Sequence, residues 1–390
     1  MKRNEKNSLA GLFHIPGLKS IIMSSFALGV AFGGYIPLQS LWLESLDRPF
    51  NQIGLTNGIV GLGIVISAYF VPRIVRRVGI TRAILIGLFL AIISASVFRL
   101  TENLHLWLII KFIKGLGLGL HWVLSEAWLI KISPPKIRPK AIAIYAVSMS
   151  LGFAGGPAII WLFGHTTLVP FFCVSLVLIV TAIPFFFIKK YEPSIELEST
   201  SSPIKLILKF PTVVAACVVA GGIDLAMLSL LPAIVMRLPT ADVNIASTIV
   251  TAMAIGTIAF QYPIAKLVDH YKPEKISAFV VMFGVAFAGS LPFFLHSFFL
   301  ANGMAFLGAG LIYGLYTLGL TMLSNRVNSR DLVTANAGFV IIFEMSNLFG
   351  PTVAGILVDI SFKFGFSSFV FSLGLIYAGI YWLRHGRTTI

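Results

Sequence analysis

Charged side chains are scarce in this chain. Asp, Glu, Lys and Arg make up 11% of 390 residues, against roughly 25% in an ordinary soluble domain. Cysteine is nearly absent: Cys173 and Cys217 both lie in apolar runs and neither belongs to a CxxC or CxxH pattern. A disulfide framework and a cysteine metal site are therefore not expected. No GxSxG, HExxH or GxxxxGK[ST] pattern occurs, and the GLGLG run at Gly115–Gly119 lies inside an apolar stretch, where it cannot cradle a phosphate. No catalytic set, metal or cofactor is expected. What fills the chain instead is hydrophobic: 57% of residues, with a mean hydropathy of +0.93. A water-facing fold of this size cannot bury that much apolar surface, so a soluble enzyme is excluded.

Spanning the hydrocarbon core takes about 20 apolar residues in a helix. Runs of that length fall at 21–43, 53–71, 83–100, 104–130, 141–163 and 168–188, and again at 211–235, 243–265, 276–295, 298–323, 334–357 and 365–383. They are twice the length of a barrel strand and show no alternation of polarity. The expectation is an all-α membrane protein of twelve transmembrane helices. The apolar run after the basic N-terminus is too long for a signal-peptide core and reads as an uncleaved first helix.

Charge placement tests that count. With the connections numbered alternately, 23 of the 29 basic residues fall on the side of the N-terminus, and only Arg48, Arg99, Arg237 and Lys363 on the other; Lys111 and Lys114 lie within a helix. Cytoplasmic loops collect Lys and Arg, so both termini are expected in the cytoplasm. The net charge of +14 is thereby spread over seven loops, which argues against a nucleic-acid partner.

The longest connection carries the polar run EPSIELESTSSP, which reads as a linker. The expected organisation is a six-helix half at 1–190, a cytoplasmic linker at 191–210 and a second half at 211–390. Three features recur near one offset: PRIVRRVGITRA from Pro72 against PIAKLVDHYKPEK from Pro263, Pro157 against Pro351, and Pro37 against Pro232. Such matches suggest an internal repeat.

This arrangement resembles the major facilitator superfamily over essentially the whole chain. The family's loop pattern between helices 2 and 3 is matched at Arg77 and Gly79, with Arg76 standing at its Asp; the second copy keeps an acid at Asp269. Lys111-Phe-Ile-Lys114-Gly115-Leu-Gly117 follows the helix 4 pattern, with Lys for Arg. Ser125-Glu126-Ala127-Trp128-Leu129 is similar to a bacterial subgroup of uncharacterised permeases. Gly152-x-x-x-Gly156-Pro157 matches the core of the family's antiporter pattern. The resemblance implies a monomeric, multi-pass permease in a bacterial inner membrane, working by alternating access on a small-molecule substrate.

Ionisable groups inside membrane helices are costly and so are candidates for function. At about 1.5 Å per residue, Lys114 and Glu344 lie on the order of 15 Å deep, and Asp224 about 20 Å. We expect Asp224 or Glu344 to bind a coupling proton, H⁺, and Lys111 or Lys114 to balance it or to meet an anionic substrate group. The alternative is a buried ion pair that only fixes packing. His121, two turns from Lys114, is a candidate relay or a packing histidine. Tyr35, Gln39, Trp122, Tyr313 and Tyr316 lie on helices that line the cavity in the family; aromatics there also simply pack. Glu126, near the cytoplasmic end of helix 4, is expected to pair with Arg76, Arg77, Arg138 or Lys140 in a gate that also involves Gly79 and Asp269. Without a nucleotide motif the driving energy is an ion gradient. Half an antiporter pattern favours efflux of a drug or metabolite; the intramembrane cations favour uptake of an organic anion. The other classes are a non-transporting sensor, which would be expected to carry a larger soluble domain, and an embedded transferase or flippase, which would need a polar catalytic cluster at one interface.

Overall fold

The computed structural model describes residues 15–133, 138–193, 202–239, 243–268, 270–327 and 332–385. Each apolar run becomes a helix, because a backbone in hydrocarbon must satisfy its N–H and C=O groups within the segment. The spanning helices are α1 (Leu18–Ser45), α2 (Phe50–Val78), α3 (Ile80–Val97), α4 (Leu104–Ile132), α5 (Arg138–Gly155, resuming as Ala158–Phe163), α6 (Val169–Ile188), α7 (Pro211–Met236), α8 (Val243–Leu267), α9 (Pro273–Ser290), α10 (Phe298–Ser324), α11 (Leu332–Ile360) and α12 (Gly365–His385). All twelve are long and apolar enough to cross a membrane. Bulky side chains such as Phe299, Phe187 and Leu375 project from them largely exposed, as lipid-facing residues do.

One boundary departs from the sequence expectation. Helix α2 does not stop near Val71 but continues to Val78, so Arg73, Arg76 and Arg77 ride on a helix rather than in a loop. Cations in a last turn interact favourably with the carbonyl end of the helix dipole. Gly79 then ends the helix with φ of +81°, a conformation that glycine reaches without strain, and α3 begins at the next residue.

The chain forms two compact units: Met1–Leu38 with Ile59–Glu198, and Gln39–Gly58 with Ser199–Ile390. The C-terminal part of α1 and the start of α2 thus belong with α7–α12. In the first unit the core centres on Trp128, Phe185, Leu124 and Leu18. There α1 and α5 touch backbone to backbone. A Cβ at Gly29, Gly33 or Gly152 would overlap the carbonyl oxygens of Met149, Phe153 and Phe26 respectively. Small residues allow this approach in membranes, where packing and not hydrophobicity drives association. The helix α5 breaks at Gly156–Pro157, whereas α11 runs through Pro351 without interruption.

Candidate functional site

In the first unit, α4 is set by its N-cap: the Asn103 side chain accepts from the His105 and Leu106 N–H groups. Trp107, one turn in, donates from its indole to the carbonyls of Phe98 and Thr101 and stacks on Phe98. That anchors the N-terminal end of the helix. One turn deeper, Lys111 and Lys114 are 1% and 5% exposed. The Lys114 Nζ lies 2.9 Å from the centroid of the Tyr35 ring. The Lys111 Nζ lies 5.3 Å from the same centroid and 5.7 Å from that of Phe98. Tyr35 is itself held edge-on by Phe98 and Phe171. Its buried hydroxyl has no hydrogen-bond partner among the described residues.

Magnitudes decide what this box does. A desolvated cation–π contact contributes about 2 kcal/mol, while removing an ammonium from water costs several kcal/mol per ion. The Tyr35 face therefore offsets only part of the cost of burying the Lys114 ammonium. An anion placed against Lys114 and the Tyr35 hydroxyl would add to that offset.

His121 is fully buried farther along α4. The Ser24 hydroxyl donates to the Thr181 carbonyl, which leaves its oxygen to accept from His121 Nε2 at 3.0 Å. The ring packs edge-on against Phe185. The structure thus gives His121 a serine partner rather than Lys114. Glu126, expected to pair with a basic residue, takes its hydrogen bond from the Trp122 indole at 2.7 Å. It is exposed and forms no ion pair with Arg76 or Arg77. Trp122 also meets Phe32 edge-on. The side chains of Arg138 and Lys140, and all of Asp269, lie outside the described residues.

At Gly79 the structure adds a residue that sequence reasoning passed over. The Glu192 carboxylate accepts from the Ile80 N–H and, at 2.7 Å, from the Thr81 hydroxyl. A carboxylate at a helix N-terminus meets unsatisfied N–H groups and a favourable dipole.

In the second unit, α7 and α11 meet at Gly222 and Gly350, where a Cβ added at Gly350 would collide with the Gly222 backbone. Asp224 lies two residues past Gly222 on α7 and Glu344 six residues before Gly350 on α11, and the two act on each other electrostatically. The Asn347 amide donates to Glu344 Oε2 at 3.3 Å. Tyr313 and Tyr316 stack on each other along α10, and Tyr316 meets Phe339 and Phe343 edge-on. Gln39 is buried at the start of this unit, so Tyr35 and Gln39, one turn apart, fall in different units.

The same unit holds a cluster at its hairpin. Arg237, at the end of α7, pairs with Glu44 at 3.5 Å, donates to the Arg48 carbonyl and covers the Phe50 ring at 4.3 Å. Asp359 accepts from the N–H groups of Phe50 and Asn51. Arg48 and Arg237 entered the sequence reading only as topology markers.

A family profile described as Major Facilitator Superfamily matches residues 21–241, more than half of the chain. An uncharacterized MFS-type transporter of Bacillus subtilis (strain 168), YfkF, is 22% identical over 337 residues, covering 84% of this chain and 85% of its own. An uncharacterized MFS-type transporter of Yersinia pseudotuberculosis serotype O:3 (strain YPIII) is 22% identical over 330 residues, covering 83% and 84%. The crystal structure of the nucleoside transporter NupG aligns with a TM-score of 0.76 at 11% identity, over 96% of this chain and 99% of its own. A bacterial homologue of the human lysosomal transporter Spinster, inward-facing and unoccupied, gives 0.75 at 12% identity, over 94% and 96%. At these identities the structural likeness is one of fold.

Proposed function

The chain belongs to the major facilitator superfamily of transporters, and on that premise we propose that it is a proton-coupled permease for a small organic anion. The observation that carries this reading is the box in α4: Lys111 and Lys114 share the face of Tyr35, whose hydroxyl is buried without a partner. An anionic group bound there gains two cations and a hydrogen-bond donor at once. Asp224 and Glu344 provide the proton site. Two carboxylates that repel each other across α7 and α11 favour holding one proton between them, and Asn347 orients the Glu344 oxygens. Loading and unloading the two sites changes the energy of the conformation that holds them, which is what alternating access requires.

The charge asymmetry supports cytoplasmic termini, and the half-matched antiporter pattern at Gly152, Gly156 and Pro157 supports export as the working direction. The protein is taken as a monomer in a bacterial inner membrane.

The test is flux in proteoliposomes. A panel of labelled organic anions is followed with and without an imposed pH gradient. The expected result is gradient-driven movement of an anion that Lys114→Gln abolishes. Flux indifferent to the gradient, and to Lys111→Gln and Lys114→Gln alike, would overturn the proposal. A sensor or an embedded transferase would show no gradient-driven flux.

A further inference from the structure

A groove of about 1070 Å³ opens on the first unit where α2, α3 and α4 meet. Its two ends differ in chemistry. One end is formed by Arg73, Arg76 and Arg77 at the close of α2, all exposed. None of the three is ion-paired among the described residues, and the nearby Glu192 carboxylate is occupied by the start of α3. Apart from Ser67 the remaining walls are apolar, with Ile66 on α2, Leu90 on α3 and Leu116 on α4. The Arg73 guanidinium lies 5.4 Å and 5.6 Å from the ring centroids of Tyr69 and Phe70, which fixes the charge at the groove mouth.

The groove faces lipid. Helix α3 packs on α4 and α6, and along its other side Ile86, Phe89 and Ile93 are exposed. Phe70, opposite them on α2, is exposed as well. The length also fits. Ile66 to Arg77 spans eleven steps of about 1.5 Å, roughly 16 Å, or about one leaflet of a hydrocarbon core ~30 Å thick.

We propose that this groove is a binding site for an anionic glycerophospholipid, its phosphate held by Arg73, Arg76 and Arg77 and an acyl chain lying between Ile66, Leu90 and Leu116. A guanidinium offers a planar fork matched to phosphate oxygens. Basic pockets between membrane helices are suited to anionic headgroups. The apolar leg selects a lipid over a soluble phosphate, because it leaves about one leaflet of hydrocarbon surface to be covered.

Native mass spectrometry of the full chain, delipidated in detergent, tests the site. Phosphatidylglycerol and phosphatidylcholine of the same acyl chains are titrated in parallel. The wild type is expected to retain phosphatidylglycerol preferentially, and each arginine removed to weaken that preference about fivefold. The combined R73Q/R76Q/R77Q variant should lose it, while Arg82→Gln, outside the groove, should keep it. Should the triple variant fail to fold, Arg73→Gln alone and Leu116→Trp, which fills the apolar leg, carry the test, each reducing retention. An unchanged preference in these variants, equal retention of the two lipids by the wild type, or full displacement of phosphatidylglycerol by soluble glycerol phosphate would overturn the proposal.

Discussion

The Asp359 carboxylate caps the start of α2: each of its oxygens accepts a backbone N–H, from Phe50 and from Asn51, at 2.8 Å. The first N–H groups of a helix have no partner within it, and a carboxylate there adds a favourable interaction with the dipole. Replacing Asp359 by Asn removes the charge and leaves a single acceptor. We expect Asp359→Asn to lose about 1 kcal/mol of stability, seen as a lower thermal midpoint in detergent, and Asp359→Ala to lose more. Unchanged midpoints in both would mean that the cap contributes nothing.

Arg237 distributes its guanidinium over three partners of unequal value. The ion pair with Glu44 is long and part-exposed, a class worth about 0–1 kcal/mol. A charged donor to the Arg48 carbonyl is worth about 1.5–3 kcal/mol, and the Phe50 face adds about 0.5–1 kcal/mol. Arg237→Lys, which keeps the charge but loses the fork, is therefore expected to destabilise more than Glu44→Gln. Thermal unfolding of the two variants checks the order; the reverse would place the energy in the ion pair.

Neighbouring glycines on α5 should respond oppositely. A Cβ at Gly152 collides with the Phe26 carbonyl, whereas a Cβ at Gly155 meets nothing within 4 Å. Gly152→Ala should force α1 and α5 apart and lower both the yield of folded protein and its thermal midpoint. Gly155→Ala should change stability by less than about 1 kcal/mol.

At the α2–α3 junction two losses are expected from one substitution. Gly79→Ala places a side chain at positive φ and brings its Cβ to 2.8 Å from Glu192 Oε1. The backbone penalty is about 1–2 kcal/mol, and the Glu192 cap must shift as well. In a Glu192→Gln background the clash remains while the charge-assisted cap is gone, so Gly79→Ala should then cost less. A double-mutant cycle on thermal stability measures that coupling.

The proposed proton site makes a kinetic prediction. Asp224→Asn and Glu344→Gln each fix a neutral group where a proton would come and go. Gradient-driven flux should fall at least about tenfold, while exchange of solute between two pools at equal pH continues. Flux that keeps its pH dependence in the double variant would remove these carboxylates from coupling.

The helices were legible in the sequence because a run of 20 apolar residues has few other structures open to it. Lys111, Lys114, Asp224 and Glu344 were legible for a related reason: a charge inside such a run is expensive and stands out. Glu192, Arg237 and Asp359 did not stand out. They lie at or near helix ends, where charge is ordinary, and their partners are 112, 189 and 309 positions away. The partner of Glu126 was missed because an indole one turn away on the same helix satisfies it, so it needs no cation. The continuation of α2 past Val71 was obscured by its arginines, which look like a loop until their fit to a helix C-terminus is considered.

The hairpin at 39–58 has a consequence for how the protein is made. Its end of α2 is completed by Asp359, 309 residues downstream of Phe50. At about 5–20 residues per second of synthesis, the newly made hairpin waits about 15–60 s for the carboxylate that caps it. Arg237 reaches the hairpin earlier, 189 positions after Arg48, so Asp359 is the later of the two partners. A ribosome that stalls before α11 therefore leaves the start of α2 without its cap.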